Sequence, residues 1–584
     1  MRIIQEGPVQ KEMNGAEIMV RSLEDLGVTQ VFGYTGATIL PVYHALGQSS
    51  ITIQVNSNEQ SVAFSAAGYS RASDRVGVAV VTSGPAITNT LTAVADSFAD
   101  SIPLLVFAGQ VQQSRMDTDE FQHINVKDVF ARAAKKVILV TDSSDIEETV
   151  KDAYFFAKSG KPGPVVIDFP FDVQRKTGVY KAASIERFRL KYEQETHLGA
   201  NQCKQFFQLL ENAKQPLLYI GGGMNNQAAS DKVREFNRVF NIPSINSLMG
   251  KGVLDENQDT ALGMLGMFGT PYANMAIQET DLFVAFGVRW NDRVAQKVGE
   301  SGLKAEIAYI DINPEKVQEV RVTRSPKFSF IGDAATVLQD LIDYARTNPV
   351  TLHIEAWQQR AVELKKRFPL AYNKQVKDIQ SAEVLDLLSK NLTDDMKFTT
   401  GVGNHQMLSA QYLRPKRPKS FMTAGAFGTM GFSLPASIGV HFADPNSRVI
   451  AIDGDSSIKM NMGEMHTIGS LNLPIKVLLL NNHVDGMVRG IQKSLYHSQF
   501  TATERGFDAN FANIAKECGF AWVRKVRTRE ELEPAMKEFL AAKGPCFLEV
   551  VTDRDEMVYP VIPQGKGYHD MILGPFIKDL QKNS

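Results

Sequence analysis

Asp453-Gly454-Asp455 closes an apolar run, Val449 to Ile452, and Asn481-Asn482 closes another, Ile475 to Leu480. A helix-length segment, Lys459 to Ser470, lies between them. The pattern predicts strand–turn–helix–strand, the unit of a parallel sheet. Its two loops then sit side by side at the carboxyl ends of neighbouring strands, where open α/β sheets bind ligands. Asp455 and Asn482 offer hard oxygen ligands, and 482 − 455 puts them 27 positions apart. A magnesium ion held by one carboxylate, one amide and a ligand's phosphates suits that donor set. Asp-Gly-Asp alone reads as a tight turn after a strand, but with the Asn pair at this spacing a metal–diphosphate site is favoured.

The elements that must position these residues repeat along the chain. Thr29 to Gly33, Val76 to Val81, Ile102 to Phe107 and Pro164 to Asp168 are strand candidates in a first block. After the polar stretch Arg187 to Leu198 a second block carries Pro216 to Ile220, Asp281 to Phe286 and Ile307 to Asp311. A helical connector, Ile354 to Tyr372, leads to the third block. Strands alternating with helices predict an α/β protein of three doubly wound parallel-sheet domains, spanning 12–180, 195–350 and 378–565.

The 584 residues are 43% hydrophobic and 22% charged, with a formal charge of −2. This describes a globular chain and gives no support for a nucleic-acid or anionic-membrane partner. No apolar run approaches a membrane span, and the first residues lack a signal-peptide core, so a cytoplasmic enzyme is expected. Cys203, Cys518 and Cys546 are too few and scattered for a disulfide framework or a cysteine metal site.

The segment Gly454-Asp455-Ser456 through Asn481-Asn482 resembles the thiamine-diphosphate motif of the decarboxylase and carboligase enzymes. The resemblance implies that Asp455, Asn482 and the carbonyl of Val484 hold Mg²⁺. It also places Glu59 against the aminopyrimidine ring, as the carboxyl that protonates a ring nitrogen. Without it, Glu59 reads as a helix N-terminal charge. Gly403-Asn404-His405 resembles the diphosphate-contacting turn, Gly428 and Met430 the segment under the pyrimidine, and Met460 the apolar prop of the cofactor. Gly486 and Met487 follow the metal loop. Because Glu59 and Asp455 belong to different domains, and in the family to two subunits, a homodimer or higher homo-oligomer is implied.

Over nearly the whole chain the resemblance is to acetohydroxyacid synthase. Ile39 to Tyr43, Val81 to Pro85, Thr118 to Gln122, Leu262 to Met267 and Gly287 to Val294 carry it. It implies FAD in the central block, contacted by Gly222, Gly223, Leu265, Gly287, Arg289, Asp311, Ile312, Gly332 and Asp333, with no net redox role. It implies decarboxylation of pyruvate and transfer of the two-carbon acetyl unit to a ketone or 2-keto acid acceptor, with Phe121 and Gln122 lining the reaction chamber.

Departures cluster in the channel and acceptor wall. Thr35, Ala37 and Thr38 stand in a segment where the synthases have Pro-Gly-Gly-Ala. Phe171 replaces a Lys, Phe268 a His and Ile491 a Trp. Losing a cation removes a carboxylate partner, and losing a Trp opens volume. Drift, a channel altered toward inhibitors and a different acceptor all remain open. The last includes acetyl transfer to the ketone of a nucleotide-activated deoxy-keto-sugar. A decarboxylase or oxidase is a further alternative.

Overall fold

The computed structural model describes residues 11–193, 196–290, 305–504, 509–563 and 566–580. The expected domain limits at 195 and 565, and the motif residues Asn291 to Val294, lie outside the described residues.

Among the described residues three six-stranded sheets form, one per expected domain, and every pairing within them is parallel. Each is covered by helices, so its interior strands are buried throughout: Leu104–Gln110, Leu282–Phe286 and Lys476–Asn481 show no exposed residue. This explains why the sequence shows continuous apolar runs rather than alternation.

Counting strands within each domain, the first and third sheets share one order, 2-1-3-4-6-5. The central sheet runs 3-2-1-4-5-6, the dinucleotide-binding order. In each case the order reverses beside the first strand, opening a crevice at the carboxyl ends. The crevices lie after Gln30–Gly33 and Gly77–Val81, after Pro216–Ile220 and Leu282–Phe286, and after Met396–Thr400 and Arg448–Gly454.

Some elements differ in detail from the sequence reading. The segment Lys459 to Ser470 is broken into a 3₁₀ turn, Ile458–Asn461, and a helix, Glu464–Ser470. The polar stretch after Arg187 continues a helix, Ile185–Tyr192, and the connector is helical over Glu355–Arg367. A short antiparallel ribbon, Lys11–Asn14 with Thr177–Tyr180, ties the two ends of the first domain together.

The first and third domains pack through helices Glu59–Ala72 and Ser433–Ala443. A Cβ on Gly68 would lie 2.2 Å from the Ala436 carbonyl oxygen. Glu464, fully buried on the third domain, accepts hydrogen bonds from Asn56 Nδ2 at 3.0 Å and the Ser57 amide at 2.8 Å. That carboxylate fixes the turn leading into Glu59.

Candidate active site

The two loops singled out from sequence are neighbours. Strand Arg448–Gly454 pairs with Lys476–Asn481 in the register Asp453↔Leu479 and Gly454↔Leu480. Asp455 and Asn482 therefore leave adjacent strands within one residue of the same level, at the ~4.8 Å spacing of paired strands. The two asparagines divide the work. Asn481 is buried and donates to Glu549 Oε1 at 2.8 Å, anchoring the strand end. Asn482 lies in the loop, where its Oδ1 accepts from the Val484 amide at 3.3 Å.

Gly486 follows, and a Cβ there would sit 2.6 Å from Asn404 Nδ2 and 2.8 Å from Asn482 Nδ2. A side chain at that position would displace both amides, so the sequence requires glycine there. Asn404 opens helix Asn404–Tyr412 with Gly403 as its N-cap, and Asn404 Nδ2 also reaches the Glu556 carbonyl at 3.4 Å. A helix N-terminus of this kind presents unpaired amides that can bind an anion.

His405 and Asp453 lie buried beneath the cradle, His405 Nε2 being 3.4 Å from Asp453 Oδ1. Burial pushes the Asp453 carboxyl up to about 7 and the His405 imidazole down to about 4. Both shifts disfavour an ion pair between them. Asp453 Oδ2 and His405 Nε2 have no hydrogen-bond partner. Among the described residues no group of three or more His, Cys, Asp or Glu side chains forms a metal cage. One carboxylate, one amide and one carbonyl suit a magnesium ion that completes its shell with phosphate and water. The residues present fit a magnesium–diphosphate group.

Around this cradle the structure leaves apolar side chains in solvent. Phe427 is 56% exposed, Met460 57% and Ile491 51%. Gly428 is exposed and Met430 half-buried. Ser456 and Met487 line the two loops at intermediate depth.

In the first domain Glu59 is the first residue of helix Glu59–Ala72, and Asn58 caps that helix by accepting from the Ser61 amide. Glu59 Oε2 accepts from Asn89 Nδ2 at 2.8 Å. Asn89 ends the helix Pro85–Asn89, whose N-cap, Gly84, packs on Gln122: a Cβ at Gly84 would lie 2.8 Å from Gln122 Cβ. Gln122 has φ 61, a conformation uncommon for a side-chain-bearing residue. Thr38 Oγ1 meets Thr82 Oγ1 at 2.8 Å and Ser83 Oγ at 3.0 Å. Glu59, Gln122 and Thr38 thus lie around the crevice of the first sheet, with Thr35 and Ala37 exposed on the loop beside Thr38. Phe121 is 83% exposed. Asn89 is the residue the sequence reading did not single out.

Phe171 opens a short helix, and the Arg175 guanidinium lies 5.5 Å from its ring centroid. Phe268 packs against the apolar core of the third domain.

In the central domain the Gly223 amide donates to the Gly287 carbonyl at 3.0 Å. A Cβ on Gly221 would lie 2.0 Å from that same oxygen, so the two turns touch backbone to backbone at the switch point. Leu265 is buried and Ile312 lies at the surface. Asp311 is buried, accepts from the Asn313 amide at 2.8 Å and is pushed up to about 6 by burial. The Gly332 amide donates to the Asp311 carbonyl at 3.1 Å. Asp333 caps helix Ala334–Thr347. Arg289 reaches the first domain, donating to the Ala99 carbonyl and lying 3.6 Å from Asp100 Oδ1.

Three family models match the three domains in order. They are the N-terminal thiamine-pyrophosphate-binding domain over residues 13–129, the central domain of thiamine-pyrophosphate enzymes over 203–341 and the C-terminal thiamine-pyrophosphate-binding domain over 401–550. The chain is 35% identical over 571 residues to the acetolactate synthase large subunit of Porphyra purpurea, covering 96% of this chain and 95% of that one. It is 36% identical over 582 residues to acetolactate synthase 1, chloroplastic, of Oryza sativa subsp. japonica, covering 97% and 89% respectively. Among the described residues no helix is long and apolar enough to cross a membrane. The chain belongs to the acetolactate synthase family, thiamine-pyrophosphate-dependent enzymes that transfer two-carbon units.

Proposed function

We propose that the protein decarboxylates pyruvate and transfers the acetyl unit to a ketone or 2-keto acid, using thiamine diphosphate, Mg²⁺ and FAD. The observation that carries this reading is the cradle at the third crevice: Asp455 and Asn482 level on adjacent strands, with Gly486 wedged between Asn404 and Asn482. In it Asp455 Oδ, Asn482 Oδ1 and the Val484 carbonyl would hold the metal, and the amides of Gly403 to His405 would bind the diphosphate. Thiamine diphosphate, when bound, supplies a nucleophilic carbon and stabilises the charge left when CO₂ departs.

The chain's own residues do the rest. Glu59 holds a proton at the aminopyrimidine ring, and Asn89 keeps the Glu59 carboxyl oriented. Met460 and Met430 support the cofactor from below. Phe121 and Gln122 close the chamber and exclude water from the reacting carbons.

The site is completed by a second copy of the chain. Phe427, Met460 and Ile491 on the third domain and Phe121 on the first are large apolar groups left more than half exposed around the two halves of the site. Exposed apolar groups gathered at a functional site mark a surface awaiting a partner. The dinucleotide strand order of the central domain and the Gly221–Gly287 approach support FAD there.

A second reading concerns the acceptor. The cation in the Phe171 helix is the surface residue Arg175, turned over the Phe171 ring, and Ile491 leaves an open apolar wall. That favours an acceptor larger than a keto acid or without a carboxylate, such as the ketone of a nucleotide-activated deoxy-keto-sugar. Product analysis with labelled pyruvate, alone and with a panel of ketones, tests both readings. Rapid acetolactate formation from pyruvate alone supports the synthase. Slow acetolactate with efficient transfer to a keto-sugar supports the second reading, and no decarboxylation at all overturns both.

A further inference from the structure

The loop that carries Phe427, Gly428 and Met430 is held by charges from another domain. Helix Leu91–Ala99 of the first domain presents Asp96, and Asp100 follows at its C-terminus, one turn on. Both side chains are fully buried. Asp100 Oδ2 accepts from the Gly425 amide and Asp100 Oδ1 from the Ala426 amide, each at 2.8 Å. Thr429 donates through Oγ1 to Asp96 Oδ1 at 3.2 Å. The two carboxylates thus grip both ends of a five-residue stretch whose middle, Phe427 and Gly428, stands in solvent.

Arg71 bridges the pair. Its Nη2 donates to Asp96 at 2.8 Å and to Asp100 at 3.1 Å, and its guanidinium lies 5.0 Å from the Phe432 ring centroid at the far end of the same loop. Burying two carboxylates with one guanidinium is costly unless further donors complete the set. Here the donors are the loop's own amides and hydroxyl, so all four oxygens of the two carboxylates are paired when the loop is in place, while Arg71 Nε has no partner. Arg289 of the central domain adds a second cation, 3.6 Å from Asp100 Oδ1. Gly425 also abuts the central domain, a Cβ there falling 2.3 Å from Met249 Sδ. All three domains meet at the root of this loop.

We propose that Asp100 is a positioning residue that fixes the Gly425–Met430 loop for thiamine diphosphate and couples it, through Arg289, to occupancy of the central-domain nucleotide site. The coupling rests on the reading of that site as an FAD site. A flavin that orders Arg289 strengthens its hold on Asp100, which in turn holds the loop. The linkage is reciprocal, so thiamine diphosphate tightens the flavin by the same factor.

The test is calorimetric titration of Mg²⁺–thiamine diphosphate into full-length protein stripped of that cofactor, with and without FAD. It is run for the wild type, Asp100→Asn and Thr429→Val. The wild type is expected to bind thiamine diphosphate several-fold tighter with FAD present. Asp100→Asn is expected to bind it about tenfold more weakly, lose the FAD effect, and raise the KM for thiamine diphosphate more than it lowers kcat at saturation. Thr429→Val, which removes one peripheral bond and leaves the ion cluster intact, is expected to weaken binding about threefold. Wild-type affinity in folded Asp100→Asn overturns the positioning role, as does wild-type affinity in Thr429→Val if Asp100→Asn fails to fold. Protein that holds FAD by its visible absorbance, yet binds thiamine diphosphate identically without it, overturns the coupling while leaving the flavin site standing. Protein that takes up no FAD overturns the flavin reading and the coupling with it.

Discussion

Asn89 donates its side-chain amide to Glu59 Oε2 at 2.8 Å, joining the end of one short helix to the start of another across the first crevice. This bond fixes which oxygen of Glu59 is free to face a cofactor ring. Glu59→Gln is expected to abolish turnover while leaving Mg²⁺–thiamine diphosphate binding within a few-fold of wild type. Asn89→Ala is expected to lower kcat by about tenfold, the scale of one hydrogen bond to a charged group. Steady-state kinetics with parallel calorimetry check both.

Asp455→Ala is expected to raise the Mg²⁺ concentration needed for half-maximal activity by about a hundredfold or more, since it removes the one charged protein ligand of the proposed site. Asn482→Ala is expected to have a smaller effect of the same sign. Metal titration of the stripped protein measures each.

Two inactive variants test whether the site is shared between copies. If Glu59 comes from one chain and Asp455 from the other, mixing Glu59→Gln with Asp455→Ala protein under conditions of subunit exchange creates hybrids with one intact site. Random exchange then restores about a quarter of wild-type activity. No recovery after verified exchange places both residues of a site on one chain.

Arg489, on helix Gly486–Leu495, ties the acceptor wall to the chain around it. It is buried, donates to Glu504 and to Asp555 Oδ1 at 2.9 Å, and lies 3.6 Å from the Phe500 ring centroid. Arg489→Ala is expected to alter the ratio of products from competing acceptors several-fold more than it alters pyruvate consumption. Ile491→Trp, which fills the wall again, is expected to shift the ratio toward 2-keto acid acceptors. Competition assays with product quantification read both.

Asp168, buried in the strand before Phe171, meets Gln110 Nε2 at 3.4 Å and leaves its other oxygen without a partner. Burial raises its pKa from 3.8 to about 7. Between these values the folded chain holds a proton that the unfolded chain has lost. The cost to stability is therefore absent below about pH 4, grows as pH rises and is complete above about pH 7. Asp168→Asn is expected to be more heat-resistant than wild type by a few degrees at pH 8 and to lose most of that advantage at pH 5. Thermal melts at the two pH values check the sign.

The parts of this architecture visible in the sequence are those where hydropathy and chemistry coincide. Val449 to Ile452 and Ile475 to Leu480 are interior strands buried on both faces, so their apolar runs mark them, and Asp455 and Asn482 stand out at their ends. Strand Met396–Thr400 hides because two of its residues are buried threonines, Thr399 bonded to Ser433 and Thr400 to Thr423. Edge strand Lys136–Leu139 hides because it is half in solvent. Arg71, Asp96 and Asp100 stay hidden in the sequence, since nothing local shows that another domain covers them.

The most direct test of the central claim is release of labelled CO₂ from carboxyl-labelled pyruvate by purified protein, with and without thiamine diphosphate and Mg²⁺, for the wild type and Glu59→Gln. The account predicts rapid release with a new carbon–carbon product in the wild type, strictly dependent on both additions, and none in the variant. Release that is independent of thiamine diphosphate, or undiminished in Glu59→Gln, would contradict it.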